Sequence, residues 1–124
     1  MIRAKHILDP VSADDGLRVL IEPAWPRGVG RSRGPFPLWL KDLAPSQSLL
    51  ARLRDDTLSW GDFVLLYSVE LEKNRDYFSG LQDHNHHDGL TLLHASPDNN
   101  HNAATALKMI LDDEDRMAQD PRVV

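Results

Sequence analysis

Between Arg27 and Gly34 the chain reads Arg-Gly-Val-Gly-Arg-Ser-Arg-Gly, three Arg and three Gly within eight residues. Glycine permits positive φ, which lets successive backbone N–H groups turn toward an anion. Arginine adds paired, charge-assisted hydrogen bonds to phosphate or carboxylate. The glycine spacing matches neither a P-loop nor a dinucleotide fingerprint, and no Gly-Lys-Ser/Thr is present. The pattern points to a small anion held by Arg27 with the backbone at Gly28. The competing reading is a solvated basic loop, or a set of ion pairs with acidic parts of the chain.

Two further groups could complete such a site. Lys41-Asp42, beside Trp39, offers a second cation and a carboxylate, or a plain surface ion pair over a packed ring. Asp98, His101 and Asn102 lie near the start of the last helical segment, where unpaired N–H groups and a partial positive charge favour anions. His101 would serve there as acid, base or donor near neutral pH, oriented by Asp98 or Asp42. The plainer alternative makes one of Asp98–Asn100 a helix cap and His101 a surface residue. Arg18 is a supporting cation. His84, His86 and His87 with Asp88 read as an exposed turn, so no metal site is expected there. His94, on a strand, could face either the rim or the core. No Ser/His/Asp order or paired-carboxylate spacing stands out, so Ser46 and Ser96 are not read as nucleophiles.

These residues must be positioned by short elements. Residues 3–8 read as a strand ending at Asp9-Pro10, and residues 12–16 as a turn with one helical turn. In residues 17–22, Val19, Leu20 and Ile21 are consecutive and apolar, as in a strand covered on both faces. Residues 23–37 hold four Pro and three Gly, which predicts a long loop. Ser46 caps a helix bearing Leu49, Leu50 and Leu53. Ser59 caps another, with Trp60, Phe63, Val64, Tyr67 and Leu71 at helical spacing. A third helix spans about 75–84, a turn covers 84–89, a strand 90–95, and a last helix about 100–112. The expected fold is α/β: a small, mostly parallel sheet flanked by helices, one domain over 1–112, with 113–124 an acidic, frayed tail. In such sheets ligands bind beyond the strand C-termini. If strands 17–22 and 90–95 are parallel neighbours, the loops that follow them share one rim.

Composition bounds the partners. The chain has 124 residues, 14.0 kDa and no Cys, so disulfides, thiolate metal sites and a thiol nucleophile are excluded. The longest purely apolar run, Phe63–Tyr67, is far short of the ~20 residues of a membrane-spanning helix. The N-terminus lacks the apolar core of a secretion signal, so a cytoplasmic location is expected. The formal charge of −5 hides a split: residues 1–54 carry nine Lys/Arg and five Asp/Glu, residues 55–124 five and fourteen. An acidic remainder disfavours a nucleic-acid polyanion but is compatible with a small anion in one basic loop. No cofactor is implied.

The same residues resemble a known family. Asp15-Gly16-x-Arg18-Val19-Leu20, Trp25-Pro26-Arg27-Gly28 and Trp39-Leu40-Lys41-Asp42-Leu43-Ala44-Pro45-Ser46 resemble the YeaO-like bacterial proteins, a family of unknown function. So do Trp60…Phe63…Tyr67…Glu70-Leu71 and Thr91-Leu92-Leu93…Asp98-x-x-His101-Asn102, so that the resemblance covers about residues 3–111. It implies a small cytoplasmic α/β domain and supplies no reaction. Where the family usually reads Asp-Arg-Leu before Trp-Pro-Arg-Gly, this chain has Glu22-Pro23-Ala24. Where the family has Lys before the later Asp, it has Pro97. Two cations are thus absent.

Three functions remain in view: a domain binding or acting on a small phosphate or carboxylate compound, a nucleic-acid or regulatory module using Trp25 and Trp39, and a partner-binding structural domain. The first is preferred. In the third, Arg27 and Lys41 would be engaged by acids such as Asp42 or Glu22.

Overall fold

The computed structural model describes residues 2–29 and 37–119. The stretch 30–36 of the basic loop, with Arg31 and Arg33, lies outside the described residues, as do residues 120–124. Among the described residues the strands are β1 (Ile2–His6), β2 (Leu17–Leu20), β3 (Leu38–Trp39) and β4 (Leu90–His94), and the α-helices are α1 (Gln47–Arg54), α2 (Trp60–Leu71), α3 (Arg75–His87) and α4 (Ala103–Gln119). The sheet order is β1-β4-β2-β3 and every pairing is parallel. The strands expected from residues 17–22 and 90–95 are therefore neighbours, with Leu17 opposite Leu90 and Leu20 opposite Leu93. No described helix is long and apolar enough to cross a membrane.

Register divides the sheet into two faces, because paired residues of parallel strands point the same way. Ile2, Val19, Ile21, Leu90 and Leu92 face the helices and join Leu49, Phe63, Tyr67, Phe78, Leu81, Leu107 and Leu111 in one buried cluster. Leu20 and Leu93 are equally buried but lie outside that cluster, on the opposite face. That face is crossed by the β1–β2 connection, which contains a single 3-10 turn over Ala13–Asp15.

The crossing is fastened by a buried carboxylate. The Asp15 side chain is 1% exposed. Lys5 Nζ lies 3.0 Å from its Oδ1, and Arg18 Nε lies 3.3 Å from its Oδ2. Oδ2 also accepts the Ser12 N–H at 3.1 Å, and the Asp15 carbonyl accepts the Thr91 hydroxyl at 2.7 Å. Strands β1, β2 and β4 are thus tied to one residue. Burial alone would raise the Asp15 pKa, but the Ser12 N–H, Lys5 and Arg18 outweigh it and hold it below 3.8. The next residue, Gly16, has φ +65°, and a Cβ there would sit 2.5 Å from the carbonyl oxygens of Asp88 and Gly89. Only glycine fits this approach, which places the Leu17 N–H on the Gly89 carbonyl at 3.1 Å.

Four expectations are corrected. Strand β2 ends at Leu20 rather than 22, although the Ile21 N–H still reaches the Leu93 carbonyl. The two-residue edge strand Leu38–Trp39 was not foreseen, since two residues carry no readable periodicity. The His84–Asp88 segment is not a turn: α3 runs through His87. His86 Nε2 meets Asp115 at 2.7 Å, and helix stop comes at Gly89 with φ +86°. Finally, α4 starts at Ala103 rather than 100 and passes 112 to reach Gln119. Its acidic last turns are met by Lys108–Asp112, Arg75–Glu114, His86–Asp115 and Arg116–Asp113 pairs.

Asp15→Ala leaves two inward-turned cations without their counter-charge. It is expected to cost about 3–5 kcal/mol by chemical denaturation. The folded pKa of Asp15 lies below its unfolded value, so its contribution is present above about pH 4 and is lost as the pH falls through the folded value. A loss under about 1 kcal/mol, the range of an exposed pair, would show that Asp15 does not fasten the crossing.

Candidate functional site

The C-terminal ends of β2, β3 and β4 lie side by side, so the loops that follow them share a rim. After β2, the Val29 N–H returns to the Pro26 carbonyl and Gly28 takes φ +79°, a turn that needs positive φ at its third position. Trp25 Nε1 closes the loop on the Val29 carbonyl at 2.8 Å. This leaves Arg27 exposed at the turn tip. Gly28 is there to make the turn.

Strand β3 brings the second cation to the same corner. Trp39, in register with Leu20, lies on the face away from the helices. Its Nε1 donates to the Glu22 carbonyl at 2.8 Å, and its ring meets Trp25 edge-on at 5.5 Å. Lys41 Nζ sits 5.9 Å from the Trp39 ring centroid. Lys41 thus lies over the Trp25–Trp39 pair, and Arg27 stands exposed at the tip of the turn that Trp25 closes. Neither makes an ion pair among the described residues, with Glu22, Asp42 or any other acid. Asp42 is exposed, and its carbonyl accepts Asn74 Nδ2 at 2.9 Å.

The β4 loop is built differently. Asp98 Oδ1 accepts the N–H groups of Asn100 and His101 at 2.9 and 3.0 Å. Those two N–H groups hold the Asp98 pKa below 3.8. Asn102 is buried and caps α4: its Oδ1 accepts the Thr105 N–H at 2.9 Å, and its Nδ2 donates to the Asp98 carbonyl at 2.8 Å. His101 stacks on Trp60, the first residue of α2, with ring centroids 4.7 Å apart, and its Nδ1 is 3.8 Å from Asp98 Oδ2. His101 thus leans on the helical layer, whereas the Trp25–Trp39 pair lies across the sheet edge.

The expected set is therefore divided. Arg27, Gly28 and Lys41 gather at the Trp corner, with Asp42 next in sequence. Asp98, His101 and Asn102 form the α4 entry. Arg18 is remote from the rim: it is paired across β4 with Thr91 and engaged by Asp15. Ser46 is likewise structural, capping α1 and donating to Glu70 Oε2 at 2.7 Å.

The rim also holds two groups that were not among the candidate site residues. Glu22 Oε1 accepts the Ala95 N–H at 2.9 Å, bridging the β2 and β4 loops. Burial raises the Glu22 pKa despite that hydrogen bond, Arg54 and His6. His94 is buried at the end of β4, edge-on to His6 at 5.3 Å, and its Nδ1 has no hydrogen-bond partner among the described residues. Burial, then His6, lower its pKa below 6.5. Both residues were visible as the ends of predicted strands, the positions that define a rim.

A family model described as "Inactive DUF488-N3 subclade" matches residues 1–122. The "Uncharacterized protein YeaO" of Escherichia coli (strain K12) is 28% identical over 106 residues, 86% of this chain and 92% of that protein. The "Uncharacterized protein Rv3073c" of Mycobacterium tuberculosis (strain H37Rv) is 30% identical over 70 residues, 56% of this chain and 59% of that protein. No solved structure matches the chain.

A depressed histidine pKa stabilises the fold above the unfolded value and is lost as pH falls through the folded one. Stability should therefore begin to drop below about pH 6.5 as His94 is forced to take a proton. His94→Leu should flatten the denaturation free energy between about pH 7.5 and 5.5. An unchanged slope would contradict this assignment.

Proposed function

The chain belongs to the inactive DUF488-N3 subclade, and on that premise we propose that it is a non-catalytic domain binding a small phosphate- or carboxylate-bearing molecule at the Trp25–Trp39 corner. The observation that carries this reading is the pair of exposed cations, Arg27 and Lys41, on loops after adjacent parallel strands. Lys41 lies over Trp39, Arg27 tips the turn that Trp25 closes, and neither has an acidic partner among the described residues. An arginine fork and a lysine point charge beside an apolar wall suit a small organic anion.

Three observations favour binding over turnover. The carboxylate of Asp98 is occupied by two backbone N–H groups, and Asn102 by its capping bonds. His101, the expected acid or base, stacks on Trp60 on the helical side rather than beside the cations. The family description itself reads "inactive". The absence of acidic partners for Arg27 and Lys41 among the described residues tells against a purely structural role for them. The acidic second half of the chain tells against a long polyanion.

Calorimetric titration with inorganic phosphate, pyrophosphate and citrate tests the proposal. At least one should bind, raising the melting temperature through selective binding to the folded state. Arg27→Ala and Lys41→Ala should each weaken binding about fivefold, roughly 1 kcal/mol, with apo stability unchanged. His101→Ala should leave the affinity unaltered. Absence of binding at about 10 mM anion, or equal affinity in Arg27→Ala, would overturn it.

A further inference from the structure

Helix α2 is apolar on both of its sides. Phe63, Tyr67 and Leu71 face the core and are fully or almost fully buried. Yet Leu65, Leu66 and Val69, on the opposite side, are 64%, 39% and 63% exposed. A helix that is apolar all round is expected to be covered all round. The outer side also has a particular order. Asp62, Leu66, Val69 and Lys73 follow at steps of four, three and four, the spacing of a helix–helix seam. Right-handed backbone continues past Leu71 into the 3-10 turn Glu72–Asn74, which keeps Lys73 close to the line of that seam.

From this we infer that α2 is a self-association surface, pairing antiparallel with α2 of a second copy of this chain. The order of the seam selects that occupant. When Leu66 lies opposite Val69 of the second copy, Val69 lies opposite its Leu66. Asp62 then lies opposite its Lys73, and Lys73 opposite its Asp62. A two-fold axis through the middle of the seam thus generates two apolar pairs and two opposite-charge pairs from one sequence. A parallel pairing would set Asp62 on Asp62 and Lys73 on Lys73, and so is disfavoured. Leu65 flanks the seam and widens the apolar contact. The helix has 12 residues and so is about 18 Å long, which makes the contact modest in area and the dimer a micromolar one.

Sedimentation equilibrium of the full chain tests the pairing. The wild type should be dimeric at about 100 µM and dissociate on dilution into the low micromolar range. Val69→Asp should be monomeric with unchanged helical circular dichroism. Asp62→Lys and Lys73→Asp should each weaken the dimer about tenfold, through two symmetry-related pairs. The double variant Asp62→Lys with Lys73→Asp restores opposite charges across the seam and should recover most of that loss. This recovery decides the matter even if Val69→Asp folds poorly. A wild type that stays monomeric at about 0.5 mM would assign the surface to a different partner and overturn the inference. So would a Val69→Asp dimer, or a double variant no stronger than the single ones.

Discussion

The buried carboxylate of Asp15 is the constraint on which the arrangement of the molecule rests. A connection of about ten residues has to carry the chain from the end of β1 across the sheet to the start of β2, with β4 lying between them. Such a crossing brings no helix with which to cover the sheet. Asp15 replaces that missing layer with charge and hydrogen bonds: Lys5 from β1, Arg18 from β2 and the Thr91 hydroxyl from β4 all converge on this one residue. Gly16 then lets the two turns touch at backbone distance. Because each of the three strands contributes a contact, the crossing also fixes their relative register.

That register has a functional consequence. Fixing β1, β4 and β2 in parallel aligns their C-terminal ends, and β3 adds a fourth through Trp39. The rim therefore follows from the crossing that fastens these strands. The same network removes Lys5 and Arg18 from any ligand, since their charge is already answered by Asp15. Cationic residues near one another in sequence thus divide into a structural class and an exposed class. Arg27 and Lys41 remain without an acidic partner among the described residues, with Lys41 over Trp39. Of the groups expected to move a proton, Asp98 and His101 are held in the entry to α4, with His101 on Trp60. This separation accords with the description of the subclade as inactive.

Much of the scaffold was legible in the sequence because burial left periodic signatures. Val19, Leu20 and Ile21 are apolar in succession because Val19 and Ile21 face the helices while Leu20 faces the crossing, and all three are fully buried. The caps at Ser46 and Ser59 announced α1 and α2. What could not be read depended on partners distant in the chain. The polar end of α3 looked like a turn because the group that receives His86 is Asp115, 29 residues later. Strand β3 is two residues long and exists because β2 offers it an edge. At the candidate site the sequence offered the cap among Asp98–Asn100, but Asn102 caps α4, because the helix starts only at Ala103. The division of the site residues across the sheet edge was not legible, since it depends on Trp60 stacking on His101 and on Trp25 meeting Trp39.

The most direct test of this partition is a two-dimensional nuclear magnetic resonance titration with phosphate, following the indole N–H signals of the three tryptophans. Trp25 and Trp39 should shift together and saturably, while Trp60 beside His101 stays in place. Movement of the Trp60 signal with Trp25 and Trp39 unmoved would locate the anion at the α4 entry and contradict the account.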